Sequence, residues 1–559
     1  MLKRLEWIFF LVGPLVTLAV SPWTNYDPIN LIKILICSSL AFYSLGLIIS
    51  SSKKLFVYIH RKFFISIIFF VLCLLNSFLF SGAPFNQQLW GSFGRNTGLI
   101  TYLSLAVIAI LGNLIGSISN SKKFIDSLTI TSALISFYCL IQILGLDPIG
   151  WSLKDTFATL GNINFLSAFL GLSSSALLIE IFLKRANRGK QSLYLLLLVS
   201  QVVIIYSTGS IQGLMMFVAS LGLVGFLWLR SRNYFRFFKY PYLFLSGLAI
   251  YLTTIALFNK GPLANDIFQP SVIFRADYMH AGWVMTIQHP LTGVGLDSFG
   301  DWYRSARGLI STTRNDPNRI ANTAHNIFLD ISSNGGFPLL FAYLAIQVVV
   351  LFYALRILKY SKFPSPSVAV VLVWIVYQIQ SLISINQIGV GIWGWMAVGF
   401  IVGQGMRIRN SQIENETKKI EKNYAEKRRS NSKTLVSLSP SQMLAGLTLG
   451  FVGFIFAFMP FKGDIDFKTA MNTGNLLKVI ESVKKPYASA FHAEIALEQS
   501  LKGNYVDQSK ILTDYLLSRY PRDFMAWRAK SVISSYTETE RKEAKEKAIS
   551  LDPYNPQIK

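Results

Sequence analysis

The chain reads as an all-α, polytopic integral membrane protein of about thirteen spanning helices. It carries a long extracytoplasmic loop and a small, repeat-like helical domain at its C-terminus. Three observations predict this. Of 559 residues, 52% are hydrophobic and only 15% charged, against ~25% charged in an ordinary soluble domain. Uncharged apolar stretches recur along the chain, each near the roughly 20 residues that a hydrocarbon core demands. Short basic segments separate them. Backbone groups in lipid must pair within their own segment, and the ~10-residue alternation of a membrane barrel is absent, so the spans are helices.

In chain order the spans are expected at 6–22, 29–50, 63–80, 99–118, 124–144, 162–183, 191–207, 211–229, 241–258, 337–358, 367–385, 388–406 and 441–460. Met1-Leu2-Lys3-Arg4 opens the first like a secretory signal, and Ala19-Val20-Ser21 mimics a cleavage site. The many spans that follow make it an uncleaved first helix.

Placing the N-terminus in the cytoplasm and alternating makes nearly every cytoplasmic segment basic. These are 1–5, 51–62 (Lys53, Lys54, Arg61, Lys62), 119–123 (Lys122, Lys123), 184–190 (Lys184, Arg185, Arg188, Lys190), 230–240 (Arg230, Arg232, Arg236, Lys239), 359–366 and 407–440. The outer connections 23–28, 208–210 and 386–387 have no Lys or Arg, and 81–98 and 145–161 have one each, Arg95 and Lys154. This is the charge bias of a cytoplasmic membrane protein with an outward C-terminus. The net charge of +24 therefore orients helices and does not call for a nucleic acid partner. Cys37, Cys73 and Cys139 sit in apolar runs, leaving no disulfide framework or cysteine zinc site.

Four regions follow. Residues 1–406 form a transmembrane domain with the outer loop 259–336. Residues 407–440 form a basic cytoplasmic linker with Lys418-Lys419 and Lys427-Arg428-Arg429, suited to anionic lipid headgroups. Residues 441–460 make the last span, and 461–559 an outward helical tail. In the tail, Pro521 and Pro553 lie 32 residues apart, near the tetratricopeptide period of about 34. Ala544, Ala548 and Leu551-Asp552-Pro553 read as the end of such a repeat. An unrelated small helical domain is the alternative.

The outer segment 259–336 is far longer than a usual helix–helix connection. Ser271 to His289 reads as an amphipathic helix stopped by Pro290. Gly293-Val294-Gly295 makes a tight turn, and a short helix follows Thr323, its expected N-cap. Asn334-Gly335-Gly336 ends that helix, and Pro338 opens the next span. The segment gathers Arg275, Arg304, Arg307, Arg314 and Arg319 with His280, His289 and His325. Arginine forks bind phosphate, and a histidine can move a proton near neutral pH. Contacts with lipid headgroups and local capping are the alternative use of the same residues.

Two further outer phrases point the same way. Gly91-Ser92-Phe93-Gly94-Arg95-Asn96-Thr97-Gly98 sets one arginine among glycines, which allow close backbone approach to a ligand or simply a tight turn. In Phe157 to Phe165, Asn162 and Asn164 either hydrogen-bond a glycan or cap a helix.

Arg275, Trp283 and His289-Pro290-Leu291-Thr292-Gly293-Val294-Gly295, followed by His325-Asn326-Ile327-Phe328-Leu329 and Gly335-Gly336, resemble the large outer loop of the O-antigen ligase and polymerase superfamily. The phrases 94–98 and 159–165 resemble members with tetratricopeptide-like tails. The likeness spans most of residues 80–400. It implies metal-free, cofactor-free glycosyl transfer outside the cytoplasm, from a polyprenyl-diphosphate-linked glycan to a lipid, protein or envelope acceptor. In that reading His325 and Arg275 are catalytic. Arg95 joins Arg275 on the diphosphate, and His325 acts as general base on the acceptor hydroxyl. Asn326 fixes His325 or binds sugar, and Arg304, Arg307, Asn162 and Asn164 are further substrate contacts. Where many members carry Ser-Arg-Gly, this chain has Ser210-Ile211-Gln212-Gly213, so that arginine is missing. A polymerase shares the machinery; a ligase is favoured because the outward tail could present an acceptor, or bind a protein partner. A lipid-linked oligosaccharide transporter is the rival from another class, but no repeat among the spans supports it.

Overall fold

Every expected span coincides with a helix in the structure, a computed structural model that describes residues 1–151, 155–183, 188–232, 235–314, 317–421 and 439–558. Lys154, Lys184, Arg185 and the run Lys427-Arg428-Arg429 lie outside the described residues. The first half comprises α1 (Leu2–Leu18), α2 (Asn30–Ser50), short α3 (Ser52–Leu55), α4 (Arg61–Phe80), short α5 (Phe85–Trp90), α6 (Leu99–Ile118), α7 (Ser121–Ile143), α8 (Ile163–Phe182), α9 (Arg188–Ser207), α10 (Ile211–Ser231) and α11 (Phe235–Ala256). The outer segment holds α12 (Ala264–Ile267), α13 (Pro270–Gln288), α14 (Phe299–Ala306) and α15 (Leu309–Arg314). Then come α16 (Ile327–Tyr360), α17 (Pro366–Ser381), α18 (Ile388–Glu421) and α19 (Pro440–Asn472). The tail is built from α20 (Leu476–Val483), α21 (Ala490–Lys502), α22 (Val506–Arg519), α23 (Phe524–Val532) and α24 (Glu538–Leu551). Among the described residues, ten helices are long and apolar enough to cross a membrane, and α17 is a shorter apolar helix. The protein is an all-α, multi-pass membrane protein.

The connections sort to two ends of the bundle, as alternation requires. At one end the Ser119 hydroxyl donates to Glu6, Lys123 pairs with Glu6 at 2.7 Å, and Gln404 and Arg407 both donate to the Ser119 carbonyl. There too Asn113 accepts the His60 backbone N–H, and His60 meets the Tyr353 hydroxyl. At the other end Asn76 and Ser77 donate to carbonyls of Leu291 and Asn334, and Asn30 donates to that of Gly94.

Close backbone approach holds the centre. In lipid, helices gain little from hydrophobic association, so small residues that let backbones touch set the packing. Gly112 and Gly116 of α6 face Gly399 and Gly403 of α18, each pair spaced by four. A methyl on Gly399 would overlap the Ala109 carbonyl, and one on Gly116 the Phe400 carbonyl. Lys33, a charge inside α2, is fully buried. Its ammonium donates to the carbonyls of Val16, Thr17 and Ala19 at 3.0, 2.7 and 2.9 Å. It thereby caps the unpaired carbonyls at the end of α1, the partners that lipid cannot supply.

Helix α16 contains a break: Gly336 has φ 70 and ψ −176. The short helix from Ile327 therefore ends at the expected glycines, and Pro338 sits in the first turn of the long one. A methyl at Gly336 would stand 2.6 Å from the Pro290 carbonyl oxygen. The Phe337 N–H donates to that oxygen at 2.8 Å, and the Val294 N–H to the Ser333 carbonyl at 2.8 Å. The His289-to-Gly295 turn is thus locked onto the Gly335-Gly336 corner.

The last apolar helix does not stop near residue 460. It runs on to Asn472 with Pro460 inside, carrying the chain into the tail. There Asp464, fully buried, accepts the Tyr26 and Asp27 backbone N–H groups, and its other oxygen lies 3.0 Å from His492 Nε2. The tail helices pack as successive helix–turn–helix pairs around Phe467, Leu497, Leu512 and Leu516.

Candidate functional site

The Gly-Arg loop 91–98 is shaped by a residue far along the chain. Gly91, Gly94 and Asn96 all have positive φ, at 88, 77 and 55. Within the turn, the Ser92 and Thr97 N–H groups both donate to Asp297 Oδ2, at 2.8 and 2.9 Å. The Ser92 hydroxyl and the Gln87 amide donate to the Asp297 carbonyl at 2.6 and 3.2 Å. Asp297 itself is 3% exposed and follows the Gly293-Val294-Gly295 turn. Its carboxylate therefore folds the loop that presents Arg95.

Arg95 is half-buried and, among the described residues, makes no hydrogen bond or ion pair with its guanidinium. Burial pulls its pKa down, and the fields of Asp330 and Asp297 oppose that. Arg275, on α13, is likewise half-buried and unpaired among the described residues, its pKa lowered by burial. One turn on, the Tyr278 ring lies 5.3 Å from the His325 ring, tilted 34°.

His325 sits on a strained corner, with φ 53. Its N–H donates to Thr323 Oγ1 at 3.3 Å, and the Ala324 N–H donates to Asp330 Oδ1 at 2.6 Å. Asn326, not Thr323, is the N-cap: its side-chain Oδ1 accepts from Phe328 and Leu329 N–H, and its side-chain amide donates to the Leu382 carbonyl. These contacts engage the asparagine in the corner that carries His325. Burial, then the positive fields of Arg95 and Arg275, push the imidazole down to about 3. The imidazole therefore favours its neutral form, with Arg95 and Arg275 both bearing on it and Asp330 and Asp297 bearing in turn on Arg95. Arg95, Arg275 and His325 come from three distant segments and share one electrostatic neighbourhood.

The remaining expected contacts lie elsewhere. Arg307 donates through one nitrogen to both oxygens of Asp552, at 2.8 and 2.7 Å, and to the Pro317 carbonyl; a second nitrogen reaches the Arg319 carbonyl. Arg304 meets Asp552 at 2.9 Å and lies over the Phe524 ring. Both arginines clamp the tail to the outer loop. Asn162 caps α8 by accepting the Asn164 N–H, and Asn164 accepts the Ser210 hydroxyl at 2.9 Å. These asparagines serve helix ends. Near them Gln212 is 2% exposed with neither carboxamide atom hydrogen-bonded among the described residues.

Asp297 and Asp330 escaped the sequence reading. The signal available was an acid two residues after the Gly-Val-Gly turn and another one helical turn after His325-Asn326.

Residues 193–344 match the family model described as O-Antigen ligase. No curated protein matches the chain. The matched stretch contains Arg275, His325 and the whole long outer segment; Arg95 lies before it. The chain is a multi-pass membrane protein that, over residues 193–344, is similar to the O-antigen ligase family.

Proposed function

We propose that the protein transfers a glycan from a polyprenyl diphosphate to a hydroxyl of a lipid, protein or envelope acceptor, on the outer face of the cytoplasmic membrane. What supports this reading is that Arg95 and Arg275, whose guanidinium groups have no hydrogen-bond partner among the described residues, both act electrostatically on the half-buried imidazole of His325. In the reaction the acceptor oxygen attacks the anomeric carbon and its proton passes to His325. The bond from that carbon to the phosphate oxygen breaks, and its electron pair leaves on the lipid diphosphate. A diphosphate leaving group needs cations; forked arginines supply them at the point where charge develops.

The same two arginines tune the base. While the site is empty they disfavour imidazolium. A bound diphosphate compensates their charge and raises His325 in part, while its burial, the larger cause of the depression, remains. The tail, read as degenerate tetratricopeptide repeats, is anchored beside this site by Arg304, Arg307 and Asp552.

The test is reconstitution of purified protein with a polyprenyl-diphosphate glycan and candidate acceptors. Lipid diphosphate released together with glycan on a new acceptor supports a ligase. A ladder of longer lipid-linked glycans replaces it with a polymerase. Lipid movement across vesicles without transfer overturns the enzyme reading.

A further inference from the structure

The loop that carries Arg95 depends on outside contacts for its shape. Gly91, Gly94 and Asn96 take positive φ, and glycine leaves a backbone free to visit many conformations. Asp297 fixes the loop from the outer segment. A second set of contacts, from α19 and the tail, meets the same loop and α5, the helix that leads into it.

The first of these follows from Pro460. Proline has no N–H, so inside α19 it leaves the carbonyl of Phe456, four residues earlier, without its helical partner. The Trp90 indole N–H donates to that carbonyl at 2.8 Å, and Trp90 directly precedes the loop. Near the start of α5, the Asn86 side-chain amide donates to the Pro486 carbonyl of the tail. Within the loop, Phe93 stacks on Phe491 of α21 at 4.6 Å with the ring planes 10° apart, and meets the His492 ring edge-on at 4.9 Å.

Hydrogen bonds also lead from the tail to the residue before Arg95. His492 Nε2 lies 3.0 Å from Asp464 Oδ1, and Asp464 Oδ2 accepts the Tyr26 and Asp27 N–H groups. Asp27 in turn holds Asn30: its Oδ1 accepts the Asn30 N–H and its Oδ2 the Asn30 side-chain amide. That same amide donates to the Gly94 carbonyl at 3.0 Å. Asp464 and Asp27 are 0% and 6% exposed, so these bonds form where water competes little and their geometry is well defined.

We propose that the junction of α19 with the tail positions Arg95, with Phe491 and Asn30 as positioning residues that act through the loop. This rests on the reading of Arg95 as a contact to the donor diphosphate. It gives the tail a part in the donor side of the reaction: loosening the junction lets the backbone around Arg95 relax and takes that guanidinium out of aim.

Phe491→Ala, Phe491→Tyr and Asn30→Ala are prepared as full-length protein in nanodiscs, and the melting temperature of each is recorded. Phenylglyoxal labels arginine side chains, and peptide mass spectrometry reads Arg95 and Arg275 separately. Each alanine variant should label Arg95 roughly threefold faster or more, as local opening exposes it, with Arg275 unchanged. Phe491→Tyr, which keeps the ring, should retain the wild-type rate. An unchanged Arg95 rate in both alanine variants, or equal acceleration of Arg95 and Arg275, overturns the proposal. In transfer assays, Phe491→Ala should move the acid limb of kcat/KM in the direction that Arg95→Gln moves it, and add no further shift in the Arg95→Gln background. Lower activity with an unmoved limb marks a merely stabilising tail and also overturns it. Faster Arg95 labelling with transfer and its pH profile both at wild-type values means that the tail holds the loop and that the donor reading of Arg95 fails.

Discussion

Asp552, at the end of the last tail helix, is fully buried and holds the Arg307 guanidinium through both carboxylate oxygens, at 2.8 and 2.7 Å. The contact joins residues 245 apart and fastens the tail over the outer loop. Removing one partner of a buried pair strands the other charge, typically at a cost of about 3–5 kcal/mol. Asp552→Ala is therefore expected to loosen the tail, seen as faster hydrogen exchange and proteolysis within 476–558, with lower transfer. Replacing Arg307 and Asp552 together by apolar residues should be milder than either single change. Unchanged exchange in Asp552→Ala would contradict the clamp.

Asp297 should matter to catalysis without touching substrate. Asp297→Ala frees the Ser92 and Thr97 N–H groups and lets the loop carrying Arg95 relax. A fall in kcat/KM of ~10²-fold is expected, the loss that misplacing one group can cause. Asp297→Asn, which keeps an acceptor oxygen, should recover part of it. Full activity in Asp297→Ala would remove its positioning role.

His325 gives a pH signature. The empty site holds it at about 3; donor binding raises it. The neutral form is the base, so activity is lost as pH falls through whichever value applies. The acid limb of kcat/KM, which reports the free enzyme, should lie below that of kcat, which reports the complex. Arg95→Gln removes a positive field and should move the kcat/KM limb upward. Coincident limbs in wild type and no shift in Arg95→Gln would refute the electrostatic coupling.

Packing of α6 on α18 can be tested with two glycines. Gly399→Ala meets the Ala109 carbonyl, and overpacking of this kind costs typically ~1–3 kcal/mol. Gly247, in α11, has no neighbouring atom within 4 Å of an added methyl, so Gly247→Ala should be neutral or gain up to ~1 kcal/mol in helix propensity. Thermal unfolding in detergent separates the two. Equal melting temperatures would contradict the close approach.

The membrane helices were legible because length, apolarity and basic loops are local signals. So was the corner at Gly335-Gly336, since glycine and proline punctuate any helix. The motif residues Arg95, Arg275 and His325 stood out by type and by resemblance. What the sequence hid was pairing. Arg304 and Arg307 look the same as Arg275 until Asp552 is found against them, and no periodicity links residues so far apart. Asn326 and Thr323 are both acceptable caps by type; only the corner at His325 decides between them. Helix α19 continues past its apolar stretch with Pro460 inside it, although proline disfavours a helix interior, and the anchor of its far end, Asp464 against Tyr26 and Asp27, is again a long-range contact.

The central claim is that Arg275 and His325 act together on a lipid diphosphate donor. It is tested most directly by steady-state transfer with Arg275→Lys and His325→Ala, each shown to be folded by its melting temperature. A forked contact becomes a point charge in the first, with an expected loss of ~10²–10³-fold in kcat/KM. The second loses general-base help worth ~10²–10⁴-fold, chiefly in kcat. Wild-type turnover in either folded variant would contradict the account.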